Sequence, residues 1–209
     1  LIPFLFHHVG DEGRMQRMYA YAVKLIFYIV GAAFCVLLVY CSEIIIFLFT
    51  EKWLPCVPIF YTIALYVIML PLFHVNKEFA IAQDDVPRIA RISSENLAIL
   101  VVLLFPCVWW GAGVGAALAV DLAMVYGLTR VIFLVRKKCS IDFNDVYVKP
   151  VLICGLGFVL AFFLKGALVI AVGQIIGLVM NLLFILAWFG GALVLFERKL
   201  LGLFFPRIK

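Results

Sequence analysis

The residues best suited to chemistry in this chain are ionisable side chains inside long apolar runs. His74, Lys77 and Glu78 form one group, with His74 and Glu78 four residues apart and therefore on one face of a helix. Asp121 and Arg130 lie in a later apolar run. An ionisable side chain is costly in lipid and normally faces a cavity or a partner. These five residues are therefore our candidates for a substrate or ion pathway.

The five candidates suit two kinds of transport chemistry. Carboxylates and a histidine exchange protons or bind cations, so a proton- or ion-coupled carrier would use His74, Glu78 and Asp121. A cavity that accepts an anion would instead use Lys77 and Arg130. Two plainer roles stay open, namely polar contacts between helices and, for the two cations, snorkelling to the membrane surface.

The sequence predicts no enzyme, and it predicts neither a metal nor a cofactor. Its few serines have no histidine and carboxylate nearby that would complete a nucleophilic triad. The six cysteines form no Cys-x-x-Cys pair, and most lie in apolar runs, where free cysteine packs as a small hydrophobic side chain. The glycine-rich stretch 111–119 lacks the strand and the Lys-Ser/Thr pair of a phosphate-binding loop; its small residues at four-residue spacing predict close helix packing.

The composition indicates whether water or lipid surrounds these residues. Of the 209 residues, 67% are hydrophobic and 14% are charged, whereas an ordinary soluble domain has about 25% charged residues. A chain of this size has too little interior to bury so much apolar surface, so most of it should face lipid. This excludes a soluble enzyme, a nucleic-acid-binding domain and a disordered tail. Backbone polar groups in lipid must be satisfied within the segment, so we expect an all-α polytopic membrane protein.

Hydropathy predicts about six transmembrane helices. The predicted spans are 24–49, 57–82, 94–110, 113–135, and a final hairpin that starts near Val148, breaks at Lys165-Gly166 and ends near Phe196. Residues 24–135 thus form a four-helix transmembrane core, 136–149 a cytoplasmic loop, and 150–209 the final hairpin with a cytoplasmic tail.

Residues 1–23 should contain the end of a preceding span and a cytoplasmic amphipathic connector. Met15, Met18, Tyr19 and Ala22 fall on one helical face of this connector, and basic side chains fall on another. The chain opens on apolar residues without an initiator methionine or a signal peptide, so we expect a fragment of a longer protein.

Lysine and arginine are divided unevenly between the two sets of predicted loops. One set contains Arg14, Arg17, Lys24, Arg88, Arg91, Arg136, Lys137, Lys138, Lys149, Arg198, Lys199, Arg207 and Lys209. The other set contains only Lys52 and Lys165. Because basic residues are retained on the cytoplasmic side, both long loops and the C-terminus should be cytoplasmic. The net charge of +5 therefore indicates membrane orientation and contact with membrane lipid, and we expect no nucleic-acid partner.

Several features occur together in a characteristic order. An Asp-x-x-Arg-Met-x-x-x-Tyr segment at 11–19 is followed by a span that ends in Glu-Lys-Trp-Leu-Pro-Cys-Val-Pro at 51–58. A span that closes on Ala82, a Pro-Arg turn and the stretch Gly-Ala-Gly-Val-Gly-Ala-Ala-Leu-Ala at 111–119 come next. Over residues 1–135 this order resembles the C-terminal half of bacterial polysaccharide flippases, in the superfamily of multidrug, oligosaccharidyl-lipid and polysaccharide exporters. The last hairpin is similar only in hydropathy.

This resemblance implies a two-bundle carrier of about twelve to fourteen helices, in which this chain supplies most of the second bundle. The N-terminal bundle of the same protein would be its partner, in the bacterial plasma (inner) membrane. The implied substrate is an oligosaccharide repeat unit linked through pyrophosphate to a polyprenol, moved outward for synthesis of surface polysaccharide such as lipopolysaccharide or exopolysaccharide. Lys77 and Arg130 are the positions that match cationic cavity residues of the family.

Two other functions remain open. A cation-coupled multidrug exporter of the same fold would use Glu78 and Asp121 to handle the ion. A membrane-embedded polysaccharide polymerase or glycosyltransferase would require a large outer loop with clustered Arg, His or Asp, and the predicted outer loops are short.

Overall fold

In the computed structural model the described residues are 12–138, 142–172 and 174–196. Within them all regular structure is helical and no strand occurs, which confirms the all-α prediction. The elements are α1 (Glu12–Val39), α2 (Cys41–Phe49), a 3-10 turn (Glu51–Cys56), α3 (Val57–Ile81), a helical segment Val86–Lys138, a π-helical turn (Asn144–Val148), α6 (Lys149–Val172) and α7 (Gln174–Phe196).

The long segment Val86–Lys138 is two antiparallel helices joined by a tight turn. The backbone leaves helical geometry at Gly111 and at Ala112, whose φ is 45° and ψ is −120°. A straight helix would separate residues 95 and 126 by about 46 Å, yet the Tyr126 hydroxyl lies 2.8 Å from Glu95 Oε2. The chain therefore reverses at Gly111-Ala112, between the predicted spans 94–110 and 113–135. The arms are named α4 (86–110) and α5 (113–138).

Helix α1 lies at the centre of the described bundle. It packs against α3 on one side and against both α6 and α7 on the other, while α3 also packs against the α4–α5 hairpin. Buried residues on α1 that carry these contacts include Tyr19, Val23, Phe27 and Cys35. The order across the bundle is therefore the α4–α5 hairpin, then α3, α1 and the α6–α7 hairpin.

Polar contacts mark the two ends of the bundle. At one end Lys138 pairs with Asp85, and Lys24 pairs with Asp145 twelve residues into α1. At the opposite end Lys165 pairs with Glu43, where α1 gives way to α2. Lys138, from the larger predicted set, thus lies at one end, and Lys165, from the smaller set, lies at the other.

Five helices among the described residues are long and apolar enough to cross a membrane, which fits a multi-pass membrane protein. Large apolar side chains cover the outside of the bundle, as lipid contact requires. Phe47, Phe105 and Trp109 are 88%, 76% and 93% exposed. One of the five helices, Val86–Lys138, reverses at Gly111-Ala112 and therefore consists of the two arms α4 and α5.

Two boundaries predicted from the sequence are wrong. Helix α1 has no break near Lys24, and Met15, Tyr19 and Ala22 are buried inside the bundle. The final hairpin does not turn at Lys165-Gly166, because α6 continues to Val172. The lysine stays helical because Glu43 and the Val39 carbonyl satisfy its ammonium group.

Other predicted segments lie outside the described residues or differ from the helices of the structure. The predicted preceding span at 1–11 and the tail after Phe196 lie outside the described residues. The predicted loop 136–149 is partly helical, since α5 reaches Lys138 and a π-helical turn covers Asn144–Val148. The first predicted span, 24–49, is interrupted at Tyr40, where α2 begins as a separate helix.

Candidate functional site

The first candidate group lies on one side of α3, near its C-terminal end. His74 is exposed, and Lys77 and Glu78 are half-buried. Asn76 and Phe79, on the opposite side of the helix, are fully buried against the rest of the bundle. No ion pair forms between Lys77 and any described residue. The group therefore projects away from the packed core, and its lysine has no ion-pair partner in the described part of the chain.

Asp121 occupies a different environment, in the seam between α5 and α3. It is 6% exposed and lies against the main chain of Tyr66. Its Oδ1 atom has no hydrogen-bond partner in the described part of the chain. Ala117 precedes it by one turn on α5 and is also buried, and a Cβ atom at Gly113 would lie 2.7 Å from Ile59 Cδ1 of α3. These small residues let α5 and α3 approach closely beside the carboxyl group.

The α3–α5 register shows that Asp121 and the α3 group are far apart. Helices α3 and α5 run parallel, because Asp121 lies beside Tyr66 and Lys138 Nζ donates to the Gln83 carbonyl at 3.1 Å, an offset of 55 residues in both cases. Asp121 is therefore level with residue 66, eight to twelve residues from His74 and Glu78. At 1.5 Å per residue the axial separation is about 12–18 Å.

Arg130 belongs to a third place, on the α4–α5 hairpin. Its Nη2 lies 3.3 Å from Glu95 Oε2, which also accepts the Tyr126 hydroxyl at 2.8 Å. The Arg130 guanidinium carbon is 5.8 Å from the centre of the Tyr126 ring. Nine residues separate Arg130 from Asp121, about two and a half turns, so the two side chains leave α5 on opposite faces. The charge of Arg130 is therefore balanced within the hairpin.

Sequence reasoning missed the partner of Arg130. Glu95 lies about as far before the Gly111-Ala112 turn as Arg130 lies after it. Because residues equidistant from a hairpin turn face each other, this symmetry is a usable signal once the turn is recognised. Gly127 fits the same register, since a Cβ atom there would lie 3.1–3.3 Å from the Asn96 side chain.

A buried polar cluster joins α1, α3 and the turn before α6, and the sequence analysis also missed it. Tyr19 donates to Asn76 Oδ1 at 2.6 Å, and the Tyr147 hydroxyl donates to the same oxygen at 2.8 Å. The Asn76 amide in turn donates to the Leu72 carbonyl at 2.7 Å. Asn76 lies between His74 and Lys77 in the sequence. Its amide side chain inside an apolar run is the sequence feature that could have indicated a buried polar contact. The cluster is satisfied and fully buried, so it holds helices together.

A third missed contact lies at the opposite end of the bundle. Lys165 Nζ is 2.6 Å from Glu43 Oε1 and 2.6 Å from the Val39 carbonyl oxygen, and it lies 4.7 Å from the centre of the Tyr40 ring. The sequence predicts a loop at Lys165, and Glu43 belongs to none of the predicted sites. The ion pair therefore links α6 to the joint between α1 and α2.

The structure thus distributes the five candidates over three places and does not bring them into one site. Of the five, Arg130 has its charge paired, Asp121 is enclosed without a partner for Oδ1, and the α3 group lies at the bundle surface. Among the described residues no three His, Cys, Asp or Glu side chains are grouped so as to hold a metal ion. The chain matches no protein-family model, and no curated protein and no solved structure is significantly similar to it.

Proposed function

We propose that this chain forms most of the second bundle of a flippase, which moves polyprenol-pyrophosphate-linked oligosaccharide repeat units across a bacterial plasma membrane for surface polysaccharide biosynthesis. The observation that best supports this proposal is Lys77. It is half-buried near the end of an apolar helix, and no described carboxylate pairs with it. A lysine ammonium group in that position favours an anion, and a lipid-linked pyrophosphate is an anion at the depth of the membrane surface.

The proposed arrangement has about six crossings, with the basic end of the bundle in the cytoplasm. The reversal at Gly111-Ala112 supports this number, because it divides one apolar segment into two arms. The partner would be an N-terminal bundle of the same protein, and transport would occur by alternating access between the two bundles. No hydrolysis of the substrate is involved, so the protein would not be an enzyme. The substrate pyrophosphate would meet Lys77 at the cytoplasmic side.

A second candidate function rests on Asp121. A buried carboxyl group with an unpartnered oxygen, enclosed between two helices, suits a site that is loaded and unloaded with a proton or another cation. This favours a cation-coupled multidrug exporter of the same fold, in which Asp121 is the coupling residue. A coupled flippase could use the same carboxyl group, so the transported molecule separates the two functions.

The test deletes the gene in its host and compares polyprenol-linked oligosaccharides and surface polysaccharide with the parent strain. The flippase proposal predicts that lipid-linked repeat units accumulate on the cytoplasmic side and that surface polymer is lost. Complementation with Lys77→Gln should restore polymer to a tenth or less of the wild-type level, because a hydrogen bond to a charged group contributes about 1.5–3 kcal/mol. The matched control, Lys52→Gln, removes an exposed lysine from the 3-10 turn and should complement fully.

Complementation with Asp121→Asn separates coupling from folding. The substitution should reduce transport while membrane abundance stays at the wild-type level, because Asn keeps the side-chain volume and loses the titratable proton. A drop in abundance would assign Asp121 to folding. Unchanged polysaccharide in the deletion strain, with new sensitivity to cationic drugs, would reject the flippase and favour the exporter.

A further inference from the structure

The basic end of the α4–α5 hairpin carries a concentrated and only partly neutralised positive charge. Residues 83–91 and 136–138 contain five basic and two acidic side chains, an excess of three positive charges. Asp85 is the buried centre of this end: Lys138 Nζ lies 2.7 Å from its Oδ2, and Arg88 Nη1 lies 3.3 Å from its Oδ1. One carboxylate therefore forms ion pairs with two cations.

Three more cations surround this centre, namely Arg91, Arg136 and Lys137. All three are exposed, and none has an ion pair within the described residues. Arg136 and Lys137 lie over aromatic rings instead, 5.3 Å from the centre of the Phe143 ring and 4.6 Å from that of Phe133. Stacking of this kind holds the side chains in place and leaves their charge available to an anion.

The hairpin register brings these cations to one level. Asn96 lies opposite Gly127, so Arg88 lies opposite residue 135 and close to Arg136. Arg91 follows Arg88 by one turn along α4. We call the set Arg88, Arg91, Arg136, Lys137 and Lys138 the basic patch.

An apolar stripe runs from the basic patch along α4. Ala98, Val102, Phe105 and Trp109 follow Arg91 at spacings of 7, 11, 14 and 18 residues, which keeps them on one helical face. All four are exposed, with Val102 at 70% and Phe105 at 76%. Ala98 and Val102 lie about 11 and 17 Å along the helix from Arg91. That distance is about the depth of one leaflet of the hydrocarbon core, half of roughly 30 Å.

We infer that the basic patch and the α4 stripe together bind an anionic phospholipid in the leaflet at this end of the bundle. The phosphate of the headgroup contacts Arg91 and Lys137, which lie on the side of the hairpin that carries the Glu95–Arg130 pair, and an acyl chain lies along Ala98 and Val102. Arg88 and Lys138, already held by Asp85, and Arg136, which leaves α5 on the face turned away from α4, add long-range attraction. The charge excess selects an anionic over a zwitterionic headgroup, and the apolar stripe selects a lipid over free phosphate. The site is independent of the molecule that the protein transports.

The test counts lipids bound to the full-length purified protein by native mass spectrometry, with phosphatidylglycerol, cardiolipin or phosphatidylcholine added to neutral detergent micelles. We expect tight binding of at least one anionic lipid and no comparable binding of phosphatidylcholine. Each basic residue near an anionic surface contributes about fivefold to binding, so Arg91→Gln/Lys137→Gln should weaken anionic-lipid binding by about 25-fold. Binding should also weaken with added salt, because both side chains are exposed.

A matched variant controls for net charge. Arg17→Gln/Lys52→Gln also removes two exposed cations but leaves the basic patch intact, and it should bind anionic lipid like the unmodified protein. The inference is overturned if both double variants lose binding equally, if neither does, or if phosphatidylcholine binds as tightly as the anionic lipids. Displacement of the lipid by millimolar inorganic phosphate would also overturn it, because the site would then recognise a free anion.

Discussion

The ion pair between Lys165 and Glu43 gives the sharpest test of the packing, because it joins three helices at one point. Lys165 Nζ contacts Glu43 Oε1 and the Val39 carbonyl oxygen, both at 2.6 Å. Ser42 donates a second hydrogen bond to the same carboxylate at 2.9 Å. The perturbation is Lys165→Met, which keeps the length of the side chain and removes its charge and its donor.

The size of the effect follows from the burial of the two side chains. Lys165 and Glu43 are 24% and 30% exposed, between a surface pair and a buried one. Surface pairs contribute about 0–1 kcal/mol, and removal of one partner from a buried pair costs about 3–5 kcal/mol. We therefore expect Lys165→Met to destabilise the protein by about 2–3 kcal/mol. At about 2–4 °C per kcal/mol for a chain of this length, Tm should fall by about 5–10 °C.

The assay is thermal unfolding of the purified protein in detergent, applied to Lys165→Met, Glu43→Gln and the double variant. The double variant should be less destabilised than the two single losses predict, with a coupling energy of about 1–2 kcal/mol. Lys52→Met, which alters an exposed lysine, should stay within about 0.5 kcal/mol of the unmodified protein. Additive losses, or an unchanged Tm in Lys165→Met, would refute the ion pair.

Two further predictions concern the hairpin and the orientation. Gly115→Ala should lower Tm or abolish folding, because its Cβ would collide with the Cys107 carbonyl across the turn. Gly111→Ala should be nearly neutral, because nothing lies within 4 Å of its Cβ position. Equal thermal stability of the two variants would contradict the hairpin geometry. A reporter fused after Lys52 should lie outside the cytoplasm and one fused after Lys138 inside it, since lysine and arginine concentrate at the Lys138 end. Location of both reporters on the same side would contradict the proposed topology.

The helical architecture was predictable because it depends on properties that act over many residues. Long apolar runs without a strand pattern require helices in lipid, and the helix-rich structure agrees. The turn at Gly111-Ala112 was predictable because it separates two apolar runs of membrane-spanning length, although the positive φ of the turn falls on Ala112 and not on a glycine. The two wrong boundaries share one cause, because each places a helix boundary at a lysine. Lys24 and Lys165 both stay inside helices, because Asp145 and Glu43 neutralise them from other helices.

The arrangement of the candidates was not predictable from spacing within one helix. His74 and Glu78 share a face of α3 because four residues separate them, and the helix carries that information locally. Whether Asp121 faces α3 or a cavity depends on how α5 rotates when it packs, and small residues on α5 decide that rotation. The contacts Tyr19–Asn76 and Lys165–Glu43 join residues 57 and 122 positions apart in the chain, so no local pattern specifies them.

Charge pairing separates the candidates for transport from the residues that hold the helices together. Lys24, Arg130 and Lys165 each have a carboxylate partner on another element, so helix packing alone explains their presence in apolar segments. That explanation fails for Lys77, which has no ion pair with a described residue, and for Asp121, whose Oδ1 has no described partner.

These two residues also lie at different depths. Lys77 is four residues, or about 6 Å, from the end of α3, within reach of a headgroup. Asp121 is eight residues, or about 12 Å, from the start of α5 and is enclosed by α3. A cation near the surface suits recognition of an anionic substrate, and an enclosed carboxyl group suits uptake and release of a proton. If the proposed function holds, loss of Lys77 should weaken substrate binding, whereas loss of Asp121 should uncouple transport from the ion gradient.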